Sequence, residues 1–243
     1  MNKPTLKALS TFDKRVYVRF IKYLSQKYKI VQCCQSTTCN VPYLILRHDV
    51  DVSLSSALKM AEIEHNLGIA STYFVLLSSE HYNPFNGRNV KIIRRISELG
   101  HEIGLHYDIE QYNRYTKDVI NGLKAEIQAL EIVVGKKIQS ISSHAPKGPN
   151  SFLKIEGYVN ADNLDLRDIY VHDSQRIWTI KSLSALLNSS PKRVQLLVHP
   201  CLWDESRKRK EKLDLVLLDL LLFLNRLRTT VIRVIHSRES CDN

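Results

Sequence analysis

The chain has 243 residues, enough for one α/β domain of barrel size or two small domains. Its hydrophobic content of 44% is ordinary for a globular protein, so a full core forms without staples, and the five cysteines (Cys33, Cys34, Cys39, Cys201, Cys241) have no framework spacing and read as reduced thiols. A formal net charge of +10 suits an anionic partner, but the densest run, Arg207 to Lys212, has no interleaved aromatics or nucleic-acid motif and reads as a solvated helical face.

The start, Met1-Asn-Lys-Pro-Thr, has no apolar leader core, and Leu213 to Leu224 is too short and, with Asp214 and Asp219, too charged to span a bilayer. A soluble cytoplasmic protein without a transmembrane segment or nucleic-acid partner is therefore expected. Thr11 to Lys29 has helical spacing at Phe12, Val16, Phe20, Ile21 and Leu24, and a loop runs on to Pro42. Tyr43 to Leu46 is a buried-type strand, and Ser53 opens a helix to Asn66 that Gly68 closes. Ala70 to Leu77 is a second strand, followed by a helix over Val90 to Leu99. His101 to His106 is a third strand, Lys117 to Val134 a long helix ended by Gly135, and Ile138 to Ser143 a fourth strand.

Lys147 to Asp168 reads as irregular. Short strands are expected at Ile169 to His172 and Ile177 to Thr179, a short helix at Ser182 to Leu187 and a strand at Val194 to Val198. A helix over Leu213 to Leu227 and a strand over Thr230 to Ile235 complete the pattern. Strands alternate with helices, which calls for parallel βαβ units. About seven strands are too few for an eightfold barrel, so a distorted, incomplete (β/α) barrel fits, with an open doubly wound sheet as the alternative. One domain over 1–243 is expected, comprising an N-terminal helix and loop (1–42), a core (43–199) and a C-terminal helix and strand (200–243).

Four apolar runs end in histidine or aspartate: Tyr43 to Asp51, His101 to Asp108, Ile138 to His144 and Val194 to His199. Such strand ends are where barrel enzymes keep their chemistry. Asp49 and Asp51, two apart on extended backbone, face one way and suit one metal ligand plus one general base. Asp51 could instead cap the following helix. His106 and Asp108 repeat the alternation, and imidazole with carboxylate is a common ligand pairing for zinc and its neighbours. His101 starts its strand and reads as structural.

His144 is followed by Ala145-Pro146 and His199 by Pro200; the prolines are expected to hold the backbone extended, and either histidine could be a ligand, a proton donor or an oxyanion stabiliser. Asp173 suits an orienting partner for a histidine, and Trp178 either a sugar-stacking wall or core. No GxSxG elbow, P-loop, GxGxxG or HExxH is present, leaving metal-assisted hydrolysis. Two histidines and a carboxylate also make the facial triad of non-haem iron oxygenases.

Arg47-His-Asp-Val-Asp51, Gly100-His-Glu-Ile-Gly-Leu-His106, Ser143-His-Ala-Pro146 and Leu197-Val-His199 fall in the order of the polysaccharide deacetylase motifs. From about Tyr43 to His199 the chain resembles a divergent branch of that family (NodB-type, carbohydrate esterase family 4). The resemblance implies a distorted (β/α) barrel of about seven strands. It also implies metal-dependent hydrolysis of an acetyl group from an N-acetylated sugar or glycan, with a divalent ion, zinc by preference and cobalt, nickel, manganese or iron as alternatives. Asp49 matches the base, Asp51 and His106 the metal ligands, and His199 the general acid; His48, Asp108, Asp173 and Trp178 are candidates for substrate binding or for orienting these groups.

Two positions depart from the family. Its second histidine, four residues after the first, is Glu110 here, and its RxP arginine is His144. His144 is thus the candidate third ligand, with Glu110 or Asp108 as alternatives, or else the site has lost its metal and only binds glycan. The positive charge would suit a phosphate-linked sugar.

Overall fold

The computed structural model describes residues 3–116, 118–148 and 151–204. The chain divides into two compact units, Met1–Trp203 and Asp204–Asn243. The expected helix over Leu213 to Leu227, the strand over Thr230 to Ile235 and the basic run lie outside the described residues.

Strand β2 (Tyr43–Val50) is buried along its whole length, as a parallel strand covered on both faces must be. It pairs with β1 (Lys29–Val31) and then β3 (Thr72–Leu76) along one edge and with β8 (Arg193–Val198) along the other. The sheet continues outward through β4 (Glu102–Tyr107), β5 (Ser140–Ser143) and β6 (Val159–Asn160), and on the other side through β7 (Ile169–His172). Every pairing is parallel, and β6 and β7 end the path without meeting. The result is the distorted, incomplete (β/α) barrel that the alternating pattern predicts.

Helices cover its outer face. One core layer packs α1 (Leu6–Leu9), α2 (Lys14–Ser25) and α7 (Ile180–Asn188) on β2, β7 and β8. The other packs α3 (Leu54–Asn66), α4 (Gly87–Glu98) and α6 (Val119–Val134) on β3, β4 and β5. The strand period of two then decides what faces inward. Leu44 and Leu46 join the outer layer, whereas Tyr43 and Ile45 join a small inner cluster with Phe74 and Leu166. On the same inward column stand Arg47 and Asp49, further along β2, and Asp51 just beyond its end. The interior is apolar at the strand starts and charged at the strand ends.

Some local expectations fail. Ile177 to Thr179 is not a strand; Ser174–Arg176 turns as a 3₁₀ helix and Trp178 packs into the core before α7 begins. A short helix, α5 (Ile109–Tyr115), precedes α6, because Asp108 and Asp118 each cap a new start by accepting a backbone N–H. Strands β1 and β6 are too short to show a period.

Candidate active site

The strand ends converge on a cleft of about 490 Å³. Asp49 comes from β2 and Asp51 from just after it, His106 from β4, His144 from just after β5, Asp162 from just after β6 and His199 from just after β8. All lie at the carboxyl ends of parallel strands, where such sheets place their sites.

Asp49 is almost fully buried and held by two parallel hydrogen bonds from Arg47, Nε to Oδ1 at 2.8 Å and Nη2 to Oδ2 at 2.9 Å. Burial alone would raise its pKa, but the Arg47 guanidinium holds the carboxyl well below the usual range. Arg47 also donates Nη1 to Asp162 Oδ1 at 2.8 Å.

Asp51 is not the helix cap; Ser53 fills that role by accepting the Ser56 N–H at 3.2 Å. Asp51 Oδ1 is buried and has no hydrogen-bond partner. His106 donates Nδ1–H to the Ser142 carbonyl at 3.2 Å, which fixes the tautomer and leaves the Nε2 lone pair facing the cleft. That nitrogen lies 3.4 Å from Asp49 Oδ2 and 3.4 Å from Asp51 Oδ1. The His106 Nε2 lone pair and the unpartnered Asp51 oxygen repel unless a cation shares them, so this pair of donors fits part of a metal site. Among the described residues, however, no group of three or more His, Cys, Asp or Glu side chains is gathered closely enough to hold an ion by itself.

On the opposite wall His199 donates Nδ1–H to Asp173 at 2.7 Å, and its backbone N–H reaches the same carboxylate at 3.0 Å. Trp203 Nε1 donates to the other Asp173 oxygen at 2.8 Å. Burial disfavours the charged ring, but the Asp173 hydrogen bond and charge, with Asp49 and Asp51, outweigh it and push the His199 pKa up to about 9. Its Nε2 lies 3.7 Å from Asp51 Oδ2.

His144 lines the cleft with its ring edge-on to His106, centroids 5.3 Å apart. Its Nδ1 has no hydrogen bond and lies 3.6 Å from Asp108 Oδ2. The backbone does not stay extended after it, since Ala145 takes a left-handed φ of 41° despite the following proline. Glu110 does not line the cleft and pairs with Lys147 at 3.1 Å.

Two expected site residues are elsewhere. His48 points to the outer face of β2, where its Nε2 meets Glu64 at 2.8 Å, because one residue along a strand reverses the side. Trp178 is core, stacked with Phe12 and donating to the Leu9 carbonyl at 3.2 Å. His101 is structural as expected, donating Nε2–H to Ala61 and accepting the Ser71 N–H. Sequence reasoning missed Arg47, legible from its two-residue spacing to Asp49, and also Asp162 and Tyr170, for which no local pattern gave a signal.

No protein-family model and no curated protein matches the sequence. Among solved structures, a chitin deacetylase from the fungal pathogen Colletotrichum lindemuthianum aligns over 75% of this chain and 83% of its own, at 18% identity and a TM-score of 0.50. The chain has the polysaccharide deacetylase fold. Also similar to this deacetylase-fold chain are a family 4 carbohydrate esterase from Bacillus anthracis (18% identity, 82% of this chain and 84% of that one, TM-score 0.46) and a mutant CE4-family pseudoenzyme with restored enzymatic activity (13% identity, 72% of this chain, TM-score 0.46). The chain spans 64% of the length of that pseudoenzyme mutant.

Proposed function

We propose that the chain is a divergent metal-dependent carbohydrate deacetylase that hydrolyses the acetamide of an N-acetylated sugar. The observation that carries this reading is the meeting of Asp49, Asp51 and His106 at 3.4 Å with Asp51 Oδ1 unpartnered, opposite a charged His199. Asp51 and His106 would hold the divalent ion, with His144, edge-on to His106, the candidate third ligand. When bound, the ion supplies Lewis acidity and lowers the pKa of water.

Asp49, held ionised by Arg47, takes the proton of the attacking water as general base. His199, held charged by Asp173, gives its Nε2 proton to the leaving amine, so one proton enters and one leaves the protein each turnover. The net charge of +10 favours a phosphate-linked sugar, and a cytoplasmic location fits such a substrate.

The test is acetate release from N-acetylated sugars by purified protein, with and without chelator. Asp49→Asn is expected to lower kcat by about 10²–10⁴-fold, the usual worth of a positioned base. Undiminished release would exclude Asp49 from that role. A second reading, a sugar-binding relative without turnover, is favoured by Glu110, which stands where the family has its second histidine and pairs with Lys147 away from the cleft lining. It predicts sugar binding by metal-free protein and no acetate release.

A further inference from the structure

We propose that Asp162 is a positioning residue that holds both sides of the cleft in register, Asp49 through Arg47, and His106 with His144 through the end of β5. The proposal deepens the deacetylase reading and rests on it for the roles of Asp49 and His106.

Asp162 is 8% exposed and uses both oxygens. Oδ1 accepts Arg47 Nη1 at 2.8 Å, the guanidinium whose other two donors grip Asp49. Oδ2 accepts the Ser143 N–H at 2.7 Å and the Ser142 hydroxyl at 3.4 Å. Ser142 offers its carbonyl to His106 Nδ1, and Ser143 immediately precedes His144. One carboxylate thus ties the residue orienting the base to the strand end orienting two imidazoles. Arg47, at 2% exposure, would otherwise have a single carboxylate partner.

The anchor is itself fixed. The Asp162 N–H donates to Asn160 Oδ1 at 2.8 Å. Its neighbour Ala161 donates to Ile141 at 2.9 Å and receives Gln195 Nε2 at 3.0 Å and Arg167 Nη1 at 3.2 Å. A short segment with no sequence pattern of its own is therefore locked to β5 and β8.

Asp162→Asn is a clean probe, because an amide has one acceptor oxygen whereas both Asp162 oxygens accept from N–H groups. Either orientation of the asparagine sets two donors against each other, at Arg47 or at Ser143. Steady-state kinetics on an N-acetylated sugar should show kcat falling about 10²-fold with KM little changed, the signature of misplaced groups rather than lost binding. Independently of activity, NMR should show the Arg47 Nε–H losing protection from solvent exchange and the His106 Nδ1–H resonance shifting.

If Asp162→Asn does not fold, Asn160→Ala, which frees the Asp162 backbone, should reduce the same Arg47 protection, and protection left intact there would overturn the proposal. Unchanged Arg47 and His106 signals in folded Asp162→Asn would overturn it too. If the wild type releases no acetate, the deacetylase reading fails, while the two signals still decide what Asp162 holds.

Discussion

Glu64 has no exposed surface, although it carries a carboxylate on the helix α3. It receives the hydroxyls of Tyr17, of Tyr73 at 2.9 Å and of Ser71 at 2.6 Å, and it meets His48 Nε2 at 2.8 Å. Burial opposes its charge, but His48 and these donors prevail and bring its pKa from 4.5 down to about 2. A group whose folded-state pKa is depressed contributes stability above its unfolded value. That contribution is therefore full above pH 4.5 and is lost as pH falls from there towards 2. Glu64→Gln leaves His48 facing a neutral amide and should lower unfolding free energy by about 3–5 kcal/mol at pH 7. Urea midpoints at several pH values should show the gap between variant and wild type closing below pH 4.5. A constant gap would mean that packing, not charge, is what Glu64 contributes.

At the level of elements, β2 and β4 were the most legible, because their apolar runs are long enough for a period of two to assign faces. The same rule carries a cost at Gly104, which faces inward on β4. A Cβ there would lie 2.5 Å from Phe74 ring atoms and 3.0 Å from the Ser140 carbonyl oxygen. That ring lies under the Arg47 guanidinium, 5.3 Å from its centroid, so a displaced Phe74 disturbs the floor of the site. Gly104→Ala should cost about 1–3 kcal/mol by overpacking, read as a lower urea midpoint at unchanged slope. If stability is unchanged, Phe74 has room to move and β4 is less tightly packed than its neighbours imply. Alternation also explains why the first two strand ends meet, His106 Nε2 lying 3.4 Å from both Asp49 and Asp51. His48 was misplaced by ignoring that same alternation. Asp162 was invisible because β6 has two residues, and Trp178 was misread because a lone tryptophan carries no face.

For the whole molecule, charge is distributed against the average. The chain carries +10, yet the cleft lining sets three carboxylates, Asp49, Asp51 and Asp162, against the guanidinium of Arg47 and the charged His199. Arg47 serves Asp49 and Asp162, and the charged His199 lies 3.7 Å from Asp51 Oδ2, which leaves Asp51 Oδ1 as the carboxylate oxygen without a partner. Such a focus of negative charge attracts a small cation. Zinc at a hundred times its dissociation constant should stabilise the folded chain by about 2.7 kcal/mol, a rise in Tm of about 5–10 °C for a protein of this size. Asp51→Asn and His106→Gln should each abolish most of that rise. Asp173→Asn should keep it, since Asp173 is bonded to His199 and Trp203. Differential scanning calorimetry with and without zinc reads all four proteins. A rise that survives Asp51→Asn would put the ion elsewhere in the chain and leave the orphaned Asp51 oxygen to a proton or a sugar hydroxyl.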